Sequence, residues 1–316
     1  MLVLLHGKEI FSFFTIYNFN GILSIFLFCI LMFFVFYKIL NIRIDNKINN
    51  YSKFLELLKN KYPVFNNKLL LLIINIFLAT AFYIMLVALC TLFNFQFGIS
   101  KIIINLIIIL ICYNIFNNNN LNFLYVFNTL LMPILIIFLL ILSLNNINIQ
   151  TINFDFNTSL IKSVFRGLLY FSYNSLVIIP LLFKIDVKNK KNNFLLSLFF
   201  TLIIFILSIL INLLLLTNLD FIKTIDLPIL AICNQKNIFY SYAYFFIVLS
   251  AILSTLFSSG YAFVSNINKK NKRITLIIFL SFSFIFQFFS FSNLINILYP
   301  FFGLLGLIQI FIVLIL

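Results

Sequence analysis

Charge-free apolar stretches alternate with short basic segments along this chain. Residues 21–37 form one such stretch, bounded by Asn20 and Lys38. Residues 69–100 carry no charge and hold one span and an outer turn. Residues 102–154 are charge-free for 53 positions, too long for one helix, and Asn117–Asn120 supplies the turn that divides them. The stretch 160–183, with Lys162 and Arg166 near its start, and the charge-free stretches 192–219, 237–268 and 274–316 follow, the last dividing near Ser290–Asn293. Crossing a bilayer takes about 20 apolar residues. The pattern therefore predicts nine full spans, roughly 21–40, 67–93, 99–116, 121–144, 160–184, 194–217, 237–265, 274–291 and 294–316. Residues 2–19 carry Lys8 and Glu9 inside a short apolar run. They read as the second half of a helix whose first half is absent. The segment 41–66 mixes Leu55, Leu57 and Leu58 with Lys53, Lys59 and Lys61. It reads either as an amphipathic helix on the membrane surface, near anionic headgroups, or as a solvated loop.

Composition sharpens the class. Hydrophobic residues make up 64% of the chain and charged residues 9%, with a mean hydropathy of +1.17. A soluble domain is about one-quarter charged, so this chain has too little charge to cover a soluble surface. The expected fold class is all-α, a polytopic membrane helix bundle forming a single integral domain over residues 1–316. Usage is skewed towards Phe, Ile, Leu, Asn and Lys, with no Trp. That is the skew of an AT-rich coding sequence, so an isolated intramembrane Asn carries little signal.

The formal charge of +14 reads as topology, not as nucleic-acid binding. One basic group is Lys38, Arg43, Lys47, Lys53, Lys59, Lys61 and Lys68; a second is Lys184, Lys188, Lys190 and Lys191; a third is Lys269, Lys270, Lys272 and Arg273. Even numbers of predicted spans separate the groups, four and then two, so all three fall on one side. Positive charge marks the cytoplasmic side, which puts 38–68, 184–191 and 269–273 in the cytoplasm of a cell-membrane protein. The four cysteines are scattered without metal or disulfide spacing, and His6 is the only histidine. No GxxxxGK[ST] occurs, which excludes an ATP-driven pump on this chain alone. No metal site is expected.

The stretch FRGLLYFSYNSLVIIPLLF, Phe165–Phe183, is apolar enough to cross a membrane, yet Ser172, Tyr173, Asn174 and Ser175 sit in its middle. An unpaired polar group in hydrocarbon costs several kcal/mol, so these side chains must face protein, water or a ligand. Pro180 removes a helix hydrogen bond and crowds the Leu176 carbonyl. The sequence therefore predicts a helix broken near Tyr173–Ser175, with freed groups able to hold an ion or a zwitterion. The other reading is a seam of small polar residues between helices.

LLYFSYNSLVIIPLL resembles the sixth span of the YkvI-like family of bacterial membrane proteins, within the amino acid–polyamine–organocation transporter superfamily. Gly7-Lys8-Glu9-Ile10, with Phe13-Phe14 and Gly21-Ile22-Leu23, resembles the end of that family's first span, and Leu227-Pro228-Ile229-Leu230 its outer segment before span eight. The resemblance runs from about Gly7 to the C-terminus. It implies an inverted repeat of five plus five spans with both first helices broken: an incomplete first repeat at 1–144 and a second at 160–316. It also implies that Leu2–His6 stands where the family has a glycine-rich half-helix that helps to hold substrate and sodium.

Further candidates follow from the resemblance. Gly7 and Tyr83 would join Ser172, Tyr173, Asn174 and Ser175 in substrate binding, although Tyr83 suits core packing better. Ser254, Thr255, Ser258 and Ser259 have the spacing of one helix face, and would bind a coupling ion or form a packing seam beside Gly260. Glu9 is an ionisable group in the outer half of the membrane. Lys162 and Arg166 read as interface anchors. The expected function is a secondary transporter of a small amino-acid-like solute, with Na+ or H+ as coupling ion and no other cofactor. Its expected partners are membrane lipid and the solute. The alternatives are a ligand-sensing membrane subunit related to spore germinant receptors, or a truncated non-functional permease. An enzyme is not expected, because the outer loops 145–159 and 217–237 hold only Asp155, Asp220, Asp226, Lys223 and Lys236 as charged groups.

Overall fold

A computed structural model of the chain describes residues 7–48, 51–61, 67–118, 122–148, 152, 158–183, 185, 189–266 and 272–315. Leu2–His6, part of the turn after Asn117, and Lys184, Lys188, Lys269 and Lys270 lie outside the described residues. Every described element is helical, and no strand occurs among the described residues. The order is α1 (Lys8–Phe13), a 3-10 turn (Thr15–Tyr17), α2 (Asn18–Asp45), α3 (Tyr51–Lys61), α4 (Asn67–Phe97), α5 (Lys101–Asn118) and α6 (Asn122–Asn146). There follow α7 (Leu160–Leu182), α8 (Lys190–Thr217), α9 (Leu219–Ile222), α10 (Pro228–Lys236), α11 (Ile238–Ser265), α12 (Lys272–Phe286) and α13 (Phe291–Ile315).

Helices stand at all nine expected positions. Six helical stretches among the described residues are long and apolar enough to cross a membrane: Lys8–Asp45, Leu71–Phe97, Leu160–Leu182, Lys190–Thr217, Ile238–Ser265 and Phe291–Ile315. The other three expected spans fall on α5, α6 and α12, of 18, 25 and 15 residues. Turn residues set helix ends. α12 ends at Phe286 in a run of turns, with the Gln287 N–H on the Phe284 carbonyl and the Phe289 N–H on the Phe286 carbonyl, before α13 starts. α4 ends where Gly98 adopts φ +68° and its N–H reaches the Asn94 carbonyl at 2.9 Å, a C-terminal glycine stop. The amphipathic reading of 41–66 takes form as α3. Phe54, Leu55 and Leu58 are buried on one face and Lys53 and Glu56 are exposed on the other.

The first apolar run, Lys8–Asp45, has 38 residues. At 1.5 Å per residue an unbroken helix of that length would reach almost twice the roughly 30 Å of a bilayer core. It breaks at Phe14–Asn18, where a 3-10 turn intervenes and Asn18 takes φ +52°. Gly21 permits the fold-back, since a Cβ there would lie 2.1 Å from the Phe14 carbonyl oxygen.

The helices sort into two compact units. One holds Met1–Glu9, Asn75–Ile147 and Thr217–Ile295; the other holds Ile10–Ile74, Asn148–Leu216 and Asn296–Leu316. In the first, α11 packs on α5, α6 and α10, and α12 packs on α5. Gly260 makes room for Phe82 and Phe116, whose ring atoms would lie 2.5–2.9 Å from an added Cβ. In the second, α2 runs along α7. Ser24 Oγ donates to the Ser163 carbonyl and Ser163 Oγ donates to the Asn20 carbonyl, both at 2.8 Å. Asn20 Nδ2 adds a 2.9 Å bond to Thr158 Oγ1, and Thr158 Oγ1 donates to the Tyr17 carbonyl at 2.8 Å. Small residues bring the backbones close and short hydroxyls then bridge them, which is how helices associate in lipid. Ile102, Ile103, Leu106, Ile107 and Leu110 of α5 are exposed. That outward apolar face suits hydrocarbon, not water.

Candidate functional site

α7 is where the sequence and the structure part. The predicted break near Tyr173–Ser175 is absent, and α7 is helical from Leu160 to Leu182 with Pro180 inside it. Two causes hold it. The polar side chains bond back to their own helix: Ser172 Oγ to the Leu168 carbonyl at 2.6 Å, Asn174 Nδ2 to the Tyr170 carbonyl at 2.8 Å and Ser175 Oγ to the Ser172 carbonyl at 2.7 Å. Such local bonds compete with cross-helix partners and leave the helical backbone in place. α13 also presses on this segment. A Cβ on Gly306 would lie 2.0 Å from the Ser172 carbonyl oxygen, and one on Gly303 would lie 2.7 Å from that of Leu169. Unwinding would drive one backbone into the other.

The segment nevertheless faces protein. Ser172, Tyr173 and Ser175 are buried and Asn174 is half-buried. Tyr173 stacks on Tyr299 of α13 with ring centroids 4.6 Å apart. Phe13 of α1 meets Tyr170 at 5.5 Å and Tyr173 at 5.9 Å, and Phe14 meets Tyr170 at 5.1 Å. The result is an aromatic cluster with Ser172 and Ser175 on the same helix.

Two residues beyond Phe13, Thr15 Oγ1 donates to Asn212 Oδ1 of α8 at 2.7 Å. Asn212 and Ser208 are both fully buried, and among the described residues Asn212 Nδ2 and Ser208 Oγ have no hydrogen-bond partner. The sequence reading missed these residues. The signal was present: Asn193, Ser197, Thr201, Ser208 and Asn212 are spaced by multiples close to the helical period and are all buried.

The other expected site residues belong to the other unit. Gly7 takes φ +70°, and an added Cβ would lie 2.6 Å from Ile229 Cγ1. Lys8 and Glu9 are buried, and Lys8 Nζ donates to the Ile225 carbonyl at 2.8 Å. Tyr83 is buried against α12, donating to the Phe279 carbonyl at 2.9 Å and stacking on Phe286 at 4.5 Å. On α11, Ser254 and Ser259 are buried, Thr255 is half-buried and Ser258 is exposed. The last three bond back to carbonyls of α11, Thr255 to Ala251 at 3.0 Å, Ser258 to Thr255 at 3.1 Å and Ser259 to Thr255 at 2.7 Å. The four hydroxyls thus do not share one direction.

Among the described residues no three His, Cys, Asp or Glu side chains converge on a possible metal position. Burial pushes the Cys233 thiol of α10 up to about 12, which keeps it protonated at neutral pH. Asp226 accepts from the Ser292 N–H at 3.1 Å and from the Ser292 hydroxyl, satisfying the start of α13.

No family model matches the chain, nor does any curated protein or solved structure. The class defined by the fold is an all-helical membrane protein built as a helix bundle.

Proposed function

We propose that this chain is a secondary transporter, taking up a small amino-acid-like solute with Na+ or H+ as the coupling ion. The observation that carries the reading is the Asn212 Nδ2 group and the Ser208 hydroxyl, buried in an apolar helix without a partner among the described residues. Buried polar groups are otherwise nearly always satisfied, and in hydrocarbon an orphan is costly. A solute carboxylate supplies the acceptor that Asn212 Nδ2 lacks. Phe13 and Tyr173 supply aromatic faces for its ammonium group. Thr15 and Phe13 on one short stub tie the two polar helices together.

The sorting of the helices supports an inverted repeat. In the first half, α2 lies in one unit and α5 and α6 in the other, with most of α4. In the second half, α7 and almost all of α8 lie in that first unit and α11 and α12 in the other. Each half thus begins in the unit that holds α2 and crosses to the other, and most of α13 returns to the unit of α2. The basic segments 38–68, 184–191 and 269–273 would face the cytoplasm of the cell membrane. α4, α5, α6 and α7 lie between Lys68 and Lys184, and the long helices α8 and α11 between Lys184 and Lys269; both numbers are even, which supports this topology.

Uptake of labelled amino acids into proteoliposomes, under an imposed Na+ or H+ gradient, tests the proposal. Gradient-dependent uptake is expected, and Asn212→Leu and Asn174→Leu abolish it while membrane insertion is unchanged. Full uptake by Asn212→Leu would remove the site from α8. The unbroken α7 favours one other reading, a ligand-sensing membrane subunit. Saturable amino acid binding with no flux under any gradient would establish that reading instead.

A further inference from the structure

A groove of about 470 Å3 opens between α2, α7 and α13. Leu31, Phe34 and Val35 line it from α2, Phe171 from α7, and Leu307 and Phe311 from α13. Phe171 is its buried floor, whereas Phe34 and Phe311 are 55% and 66% exposed. The groove therefore opens outwards. No charged or hydrogen-bonding side chain lines it. From Leu307 to Leu314, also on its wall, α13 rises about 10 Å at 1.5 Å per residue. The slot has an apolar lining suited to hydrocarbon.

One end of the groove carries a cation. Lys38 stands one turn beyond Phe34 on α2, and its ammonium donates to the Leu314 carbonyl at 2.5 Å. An ammonium has three N–H donors, and this bond uses one. The acid on the same helix, Asp45, is engaged by Lys190 at 3.0 Å.

We infer that this groove binds one anionic phospholipid, with an acyl chain along Phe34, Phe171 and Phe311 and the headgroup phosphate on Lys38. Charge complementarity selects the occupant. Any lipid can fill the slot with a chain and bring a phosphate to the lysine, but a zwitterionic headgroup also brings its own cation there, so a net-negative headgroup gains more. A single basic residue at the membrane surface is worth about 1 kcal/mol, a preference of about fivefold. The inference does not depend on the transport reading.

Native mass spectrometry of the detergent-purified full chain, with phosphatidylglycerol and phosphatidylcholine of identical chains in competition, reads the preference directly. About fivefold selectivity for one retained phosphatidylglycerol is expected. Lys38→Gln should bring the ratio to near one, and Lys38→Arg should keep it. Val35→Phe, which fills the groove, should lower retention of both lipids. A phosphatidylglycerol carrying a photoreactive acyl chain should label peptides within 31–38 and 307–314 of the unmodified chain. Equal retention of both lipids by the wild-type chain, or selectivity that survives Lys38→Gln, would overturn the inference. So would displacement of the lipid by glycerophosphate lacking acyl chains, or photolabelling confined to other helices. The labelling needs no variant, so it decides the matter if Lys38→Gln does not insert.

Discussion

α7 carries its polar side chains in a run, Ser172 to Ser175; α8 carries them at intervals, Asn193, Ser197, Thr201, Ser208 and Asn212. A run of four wraps around a helix, because successive residues point about 100° apart. Its members cannot all share one partner, and three of them turn back to their own backbone. Residues four apart lie on one face. The α8 series meets other elements at its ends, where Asn193 Nδ2 bonds Asn41 at 3.1 Å and Asn212 accepts from Thr15 at 2.7 Å, while Thr201 bonds back to the Ser197 carbonyl at 2.8 Å. Among the described residues Ser197 Oγ, Ser208 Oγ and Asn212 Nδ2 have no partner. A conspicuous cluster can thus be self-contained, while a sparse series holds the unmet hydrogen-bonding demand.

The strongest way to break this comparison is to disturb what holds α7. Gly306→Ala should destabilise by about 3 kcal/mol, the upper range for overpacking, because backbone and not a flexible side chain stands in the way. Thermal unfolding in detergent measures it, and a melting temperature like that of the parent would mean that α13 does not fix the segment. Next in size is the link from the stub to α8. A double-mutant cycle of Thr15→Val and Asn212→Leu should give a coupling of about 0.6–1.7 kcal/mol, as for buried hydrogen bonds between membrane helices. Additive single effects would show that the 2.7 Å contact carries no energy. Ser172→Ala and Ser175→Ala should each change stability by about 0.5 kcal/mol or less, since only local back-bonds are lost. A larger loss in either would give α7 the cross-helix role assigned to α8.

The smallest effect is the control, an ion pair on the surface. Asp220 is exposed beside Lys223, whose hydrogen bond and charge hold its carboxyl below the usual carboxylate range. A depressed folded value gives stability that is present above the unfolded carboxylate value of about 3.9 and is lost as pH falls through the folded one. The melting difference between the parent and Asp220→Asn should therefore shrink on acidification below that value, and salt should reduce it at neutral pH. A difference that grows on acidification would reverse the sign of the argument.

Much of the fold was legible before any coordinates, because hydropathy and charge act position by position. Lys38, Lys68, Lys101 and the Asn117–Asn120 tract bound apolar runs, and the helices fall within a few residues of those bounds. The state of α7 was not legible. Pro180 marks a local weak point, but whether a helix yields there depends on what lies against it, and nothing near Pro180 announces Gly303 and Gly306. The distribution of alternating segments between two units is likewise a tertiary fact. The α8 series was visible but discounted, since in an Asn-rich chain one Asn says little; its spacing, not its composition, held the information.

Seven glycines in 316 residues is about a third of the ordinary usage of roughly 7%. Glycine codons are GC-rich, so the bias that fills these spans with Phe, Ile and Asn erodes glycine first. Gly21, Gly167, Gly303 and Gly306 persist where a single methyl group would strike Phe14, Ser24, Leu169 or Ser172 within 2.7 Å. At Gly21, Gly303 and Gly306 the nearest atom is backbone, so these three mark where one stretch of main chain lies directly on another and no side chain of any size can be admitted.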